Sequence, residues 1–111
     1  MGVLKFRDPT DGTFKPVDVG RARIVTAIST NTAAGGTDKT DYVYLCSAAL
    51  TLTLPTAVSN SNRYTVKRTG GGNITIATTA SQTIDGASTY TIAVSNQAID
   101  IVSDGSNWAV I

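Results

Sequence analysis

The chain has 111 residues and a formal net charge of +1, and 41% of its residues are hydrophobic but only 6% are aromatic. This length allows a single domain, and the nearly balanced charge argues against electrostatic binding to nucleic acid or to an anionic membrane. The sequence contains no histidine and no glutamate, and its many Thr, Ser, Asn, Asp and Gly residues favour strands and turns over helices. No apolar run approaches the ~20 residues of a membrane span, and the amino terminus lacks the pattern of a signal peptide.

Residues 1–28 are predicted to form an extended arm, separate from the main domain. Residues 3–7 and 13–17 carry apolar side chains on either side of the turn residues 8–12, a pattern typical of a short hairpin. Residues 29–40 are small, polar and contain glycine, so they are interpreted as a linker. The large apolar side chains of the arm, which we expect to dock onto a partner protein, are Leu4, Phe6 and Phe14.

From residue 41 onward, apolar and polar residues alternate in short runs that are separated by turn residues. The clearest run is "LTLTL" at residues 50–54, which Pro55 closes. Further short runs occupy residues 42–46, 64–69, 73–78, 82–86, 90–94, 98–103 and 107–111. About eight short strands in residues 41–111 predict an all-β fold, a small antiparallel sandwich or barrel that follows the arm.

The large side chains of these strands are the expected core and subunit-interface positions. They are Tyr42, Tyr44, Leu52, Leu54, Tyr64, Tyr90, Ile99, Ile101 and Trp108. After the Asp104-Gly105 turn, we expect Trp108 to return into the core beside the strand that holds Ile99 and Ile101. A domain of ~70 residues buries only about 60% of its unfolded surface, and uncharged, threonine-rich strands leave their edges open to pairing. We therefore expect a homo-oligomer, a trimer or another cyclic assembly.

The sequence offers few residues for catalysis, and we expect neither a cofactor nor a metal ion. Residues 70–72 are three glycines without the Lys-Ser/Thr of a phosphate-binding loop, so a hairpin turn is predicted there. Cys46 is interpreted as a buried structural thiol. Asp85, Asp100 and Asp104 are the candidates for the carboxylate pair of a glycoside hydrolase. However, Asp85 and Asp104 precede glycines in predicted turns, and Asp100 is expected on the outer face of its strand, so enzymatic activity is not expected.

Five short motifs follow one another along residues 41–111. They are Leu54-Pro55 at the end of an apolar strand, Tyr64/Val66/Lys67 in the next strand, the turn Gly72-Asn73, the turn Ile84-Asp85-Gly86, and the closing Ser103-Asp104-Gly105 with Asn107-Trp108. In this order they resemble the β-domains of bacteriophage virion appendages. The opening "LKFRDPTDGTFKPV" is similar to the start of minor structural proteins from phages of actinobacteria.

The resemblance implies a trimeric, non-enzymatic structural protein at the surface of the phage particle, made in the host cytoplasm without a signal peptide. Residues 1–28 are expected to dock on the major capsid protein or another virion protein, with residues 41–111 projecting as in a capsid decoration protein or head fibre. The alternative is a minor tail or tail-fibre protein that binds a glycan through exposed tyrosines, Tyr42, Tyr44 or Tyr90. Nucleic acid and membrane are not expected partners.

Overall fold

The computed structural model describes residues 21–111, which form nine strands and contain no helix. The strands are β1 (Ala22–Ile28), β2 (Thr32–Ala33), β3 (Thr40–Cys46), β4 (Leu50–Thr53), β5 (Arg63–Arg68), β6 (Ile74–Ala77), β7 (Thr89–Ile92), β8 (Ala98–Ser103) and β9 (Trp108–Val110). The prediction of an all-β fold is therefore confirmed. The predicted hairpin at residues 3–17 and the docking side chains Leu4, Phe6 and Phe14 lie outside the described residues.

The strands form two mixed sheets. Sheet I has the order β1-β3-β5-β8-β9, and sheet II has the order β2-β4-β6-β7. From β1 to β6 the chain alternates between the sheets, and same-sheet neighbours run parallel. The pairs β1–β2, β3–β4 and β5–β6 are thus stacked like the coils of a parallel β-helix, and we call each pair a coil. Only β7, β8 and β9 add in the antiparallel direction, so the expected antiparallel pairing holds for the last third of the domain alone.

The three glycines at residues 70–72 lie where the third coil crosses from sheet I to sheet II, and not in the hairpin that the sequence predicted. A methyl group on Gly70 would overlap the carbonyl oxygen of Ser47, and one on Gly72 would overlap the backbone of Ala49. Gly71 has nothing nearby. Two of the glycines therefore allow the crossing of the third coil to lie directly against that of the second.

Alternate residues of each strand point between the sheets and form the core. Neighbouring strands place these residues side by side, so that Tyr42 lies beside Tyr64 and Tyr64 lies opposite Ile101. The structure buries Tyr42, Tyr44, Leu52, Leu54, Tyr64, Ile99, Ile101 and Trp108. Tyr90 is half-buried and packs against this core from sheet II.

The β-domain begins well before residue 41. Every residue of β1, which the sequence assigned to the arm, pairs with β3. The segment interpreted as a linker contains β2, which pairs with Leu52–Thr53 of β4. The rest of that segment is held to the core, because the hydroxyls of Tyr44 and Tyr42 accept hydrogen bonds from the N–H groups of Gly35 (2.8 Å) and Thr37 (2.9 Å). A strand as short as β2 cannot show a period, which is why the pattern did not reveal it.

Trp108 joins the last strand to the core and to the segment before β7. Its ring meets that of Tyr64 edge-on, with centroids 5.4 Å apart and an interplanar angle of 83°. Its backbone N–H donates to the carbonyl of Thr83 (2.8 Å), and its carbonyl accepts from the N–H of Asp85 (3.0 Å). The predicted Asp85-Gly86 turn is present, with φ angles of 51° and 89°, as a two-residue hairpin turn requires.

The contacts of the glycine crossing predict a position-specific effect of alanine. Gly70→Ala forces a methyl group into the backbone of Ser47, so we expect a loss of roughly 1–3 kcal/mol in the free energy of unfolding. Gly71→Ala is the matched control, because open space surrounds this residue. Urea denaturation of both variants measures the difference, and equal stabilities would contradict the packing of the crossings.

Truncation of the tryptophan tests the role of the last strand. Trp108→Ala is expected to cost about 3–5 kcal/mol, enough to remove much of the stability of a small domain. The buried indole N–H has no hydrogen-bond partner within residues 21–111, so Trp108→Phe loses volume but no hydrogen bond, and we expect less than half of that cost. Thermal unfolding followed by circular dichroism compares the two variants, and a near-native melt of Trp108→Ala would show that β9 is dispensable.

Candidate functional site

The open edge of β1 is the most exposed regular element of the described chain. In register with β3, Ile24 lies beside Tyr42 and thus continues an inward-facing row. Nevertheless Ile24 is 44% exposed, and Val25 on the opposite face is 54% exposed. No described strand lies beyond β1 in sheet I, and the short strand β2 provides little cover from sheet II. Both faces of β1 are therefore apolar and uncovered at the centre of the strand.

The backbone of β1 is also open on one side. The N–H of Ala22 donates to the carbonyl of Lys39 (3.0 Å), and the carbonyl of Ile28 accepts from the N–H of Ser47 (3.0 Å). In a parallel ladder these bonds alternate along the strand, so Arg23, Val25 and Ala27 direct their N–H and C=O groups away from β3. Unpaired backbone groups between apolar faces form a site to which another extended segment can add.

A shallow polar pocket of about 350 Å³ lies at the end of sheet I where β1 begins. Its wall includes Arg21, which forms an ion pair with Asp41 (2.6 Å) and donates to the carbonyl of Ser61 (3.1 Å). The side-chain carbonyl of Asn62 accepts from the N–H of Thr40 (2.9 Å). These bonds join β1, β3 and the turn before β5. We therefore interpret the residues that line the pocket as polar contacts that hold the three coils together.

Two of the three tyrosines considered for glycan binding, Tyr42 and Tyr44, form an internal stack with Tyr64. The ring centroids of Tyr42 and Tyr64 are 5.4 Å apart, and those of Tyr42 and Tyr44 are 6.1 Å apart, with nearly parallel planes. Burial raises the pKa of Tyr44 above its ordinary value, although the hydrogen bond from the backbone of Gly35 opposes the shift. Tyr42 and Tyr44 are only 6% and 5% exposed, so neither can stack on a sugar at the surface.

The three aspartates considered for catalysis belong to three different local structures. Asp100 faces outward from β8 and accepts hydrogen bonds from the hydroxyl of Thr65 and the guanidinium of Arg63, and these bonds lower the pKa of its carboxyl group. Asp85 accepts from the N–H of Val110 (3.2 Å).

Asp104 has a turn-forming role of its own. It accepts from the backbone N–H groups of Asn107 (2.8 Å) and Ser106 (2.9 Å), which lower the pKa of its carboxyl group. The carboxylates of Asp85, Asp100 and Asp104 thus stabilise turns and strand pairs, each with its own partners.

Cys46 occupies the core, where burial raises the pKa of its thiol. Within residues 21–111, no group of three or more His, Cys, Asp or Glu side chains is placed to hold a metal ion. The same part of the chain contains no helix that is long and apolar enough to cross a membrane. Within the described chain, the open edge of β1 therefore remains the candidate site, because it combines unpaired backbone groups with exposed apolar side chains.

The sequence analysis placed residues 23–28 in the arm and so did not identify β1 as the edge of a sheet. The available signal is weak, because the offset between β1 and β3, from Ala22 to Thr40, is shorter than the offset between β3 and β5, from Asp41 to Arg63. An irregular spacing of this kind does not stand out as a repeat.

Comparison of the chain with protein-family models, with curated proteins and with solved structures finds no match.

The pKa of Asp100 predicts how the stability depends on pH. Because the pKa is lower in the folded chain than in the unfolded chain, Asp100 contributes stability above its unfolded pKa of about 4, and this contribution is lost as the pH falls through the folded value. We expect Asp100→Asn to reduce the free energy of unfolding by roughly 1 kcal/mol at pH 7, and the difference from wild type to shrink below about pH 4.

Urea denaturation between pH 2 and pH 7 measures this difference, with the exposed Asp38→Asn as the control. A difference that is constant over the whole range would show that the Asp100 carboxylate does not stabilise the folded chain.

Proposed function

We propose that this protein is a non-enzymatic structural component of a bacteriophage particle. In this proposal it is an accessory protein that docks on the major capsid protein or another virion protein through its amino-terminal region. The β-domain then projects from the particle surface as in a capsid decoration protein or a head fibre. The motifs around Pro55, Asp85 and Trp108 support the proposal through their resemblance to virion appendage domains.

The observation that carries the proposal is the position of the open edge. The docking region, residues 1–28, ends in β1, and β1 exposes both apolar faces and one side of its backbone. Leu4, Phe6 and Phe14 precede this edge directly in the chain. The proposed docking residues and the uncovered end of the domain thus belong to one continuous region, as attachment by strand addition or apolar contact requires.

A homotrimer is the proposed assembly of the projecting domain. On the outer face of sheet II, Thr51, Thr75 and Thr91 lie side by side in register, and Thr53, Ala77 and Thr89 form a second row. Rows of small, uncharged side chains impose no charge repulsion between identical copies. Such a face supports close symmetrical packing, which also enlarges the buried area of a small domain.

The copy number of the chain per particle tests this function. We expect quantitative mass spectrometry of purified particles, measured against the major capsid protein, to give on the order of hundreds of copies, as repeated attachment over a symmetrical shell requires. A handful of copies in a multiple of three would instead assign the chain to the tail, with glycan or host-surface binding as the alternative function. Absence from purified particles would refute both assignments.

Native mass spectrometry of the isolated chain tests the trimer separately. The proposed assembly has three times the protomer mass of 11.5 kDa. Thr75→Lys places a charge in the centre of the threonine rows and is expected to favour the monomer. The control Val25→Lys lies on the outer face of sheet I, away from sheet II, and leaves the threonine rows unchanged. A trimer that persists in Thr75→Lys would show that sheet II is not the interface.

A further inference from the structure

The length of one coil is set by the pairing of the strands. In sheet I, Ala22 pairs with Thr40 and Asp41 with Arg63, and in sheet II, Thr32 pairs with Leu52. One coil therefore takes roughly 20 residues, at the short end of the range for stacked repeats. Residues 1–20 precede the described part of the chain. The chain before β1 is therefore long enough for one more coil.

The internal spacing of a coil is nearly constant. The sheet II strand begins ten positions after the sheet I strand in the first two coils, at residues 22 and 32 and at residues 40 and 50, and eleven positions after it in the third, at residues 63 and 74. The two apolar segments of the amino-terminal region begin at residues 3 and 13, also ten positions apart.

The apolar side chains of this region also alternate in the way that would turn them toward the core. The offset of β1 on β3, from Ala22 to Thr40, would place Leu4 beside Ala22 and Phe6 beside Ile24, which are both inward-facing positions. The offset of β2 on β4 would likewise place Phe14 beside Ala34, which packs against the core.

In the same register, the two basic residues of this segment would fall on the outer side. With the offset of β1 on β3, Lys5 would lie beside Arg23 and Arg7 beside Val25. At this exposed edge, solvent and salt would screen the repulsion between Lys5 and Arg23.

We propose that residues 3–17 form a further coil on β1 and β2, with residues 3–7 parallel to β1 in the register that β1 itself takes on β3. This segment then pairs the open backbone groups of Arg23 and Val25 and covers Ile24. The inference rests on the proposed function and extends it, because the added coil forms the end of the stack that meets the partner on the particle. Leu4 and Phe6 pack on β1 with one side and present the other side to the partner on the particle.

Residue-resolved amide exchange of the full chain by NMR tests the added strand. We expect the amides of Arg23 and Val25 to exchange at least about tenfold more slowly than in an unstructured chain. Phe6→Asp puts a charge into the inward row and is expected to abolish this protection, whereas Lys5→Asp, on the outer side, is expected to retain it. Unprotected amides at these two positions in the wild-type chain would overturn the proposal.

A pair of cysteines tests the register. Adjacent inward positions on parallel strands lie within the Cα separation of about 4.4–6.8 Å that a disulfide requires, so Phe6→Cys with Ile24→Cys is expected to form an intramolecular disulfide under mild oxidation. Lys5→Cys with Ile24→Cys is the matched control, because these side chains point to opposite faces, and the single Phe6→Cys variant detects any reaction with Cys46.

Each outcome of the cysteine experiment decides between occupants of the edge. An intramolecular link in the first pair alone supports the coil. A disulfide-linked dimer would show that a second copy covers β1, and equal linkage in both pairs would show that the segment has no fixed register, so either result overturns the proposal. These experiments use the isolated protein and the copy number uses particles, so the coil and the virion function can fail independently.

Discussion

The stacking of Tyr42 on Tyr64 is the interaction on which the rest of the domain depends. These residues lie side by side on two parallel strands, and their rings are 5.4 Å apart with an interplanar angle of 6°. A slip of one position would turn every inward side chain of a strand toward solvent, so the buried rings determine the register of β3 on β5. Tyr44 extends the stack on one side, and Trp108 closes it edge-on against Tyr64. One aromatic row thus connects the second coil, the third coil and the last strand.

The hydroxyl groups of the same tyrosines hold the connection between coils. The Tyr64 hydroxyl donates to the carbonyl of Gly35 (2.6 Å), while the Tyr44 hydroxyl accepts from the N–H of the same residue. A methyl group on Gly35 would overlap the ring of Tyr42, so the glycine allows the backbone to lie flat on the stack. These bonds satisfy buried polar groups that would otherwise cost about 1–3 kcal/mol each, and they fix the path by which the chain returns from sheet II to β3.

A stack of coils has two ends, and the two ends of this domain differ. At one end, β7, β8 and β9 pair antiparallel and complete the core with Ile92, Ile101 and Trp108. At the other end, β1 continues the inward rows with Ile24 and Ile28 but has no described strand beyond it. The unpaired backbone and the two uncovered faces meet at this end, which belongs to the proposed docking region, residues 1–28. The proposed virion attachment and the proposed additional coil both follow from this asymmetry.

The sequence by itself determined the strand class, the tight turn at Asp85-Gly86 and the inward-facing residues from Tyr42 onward, because these depend on local chemistry. Alternation of apolar and polar residues predicted the buried positions from Tyr42 to Trp108, and Asp85-Gly86 predicted a tight turn through its left-handed backbone preference. Only the tertiary structure decided which strands are neighbours. A strand with a period of two has the same pattern in parallel and antiparallel sheets, so "LTLTL" followed by "YTVKR" does not reveal whether the chain reverses or crosses to the other sheet. The crossings are held by contacts between residues that are distant in the chain, such as the close approach of Gly70 to the Ser47 backbone and the hydrogen bond from the Tyr64 hydroxyl to the carbonyl of Gly35. For the same reason β1 was assigned to an arm, since its place in sheet I depends on pairing with β3 and not on its own composition.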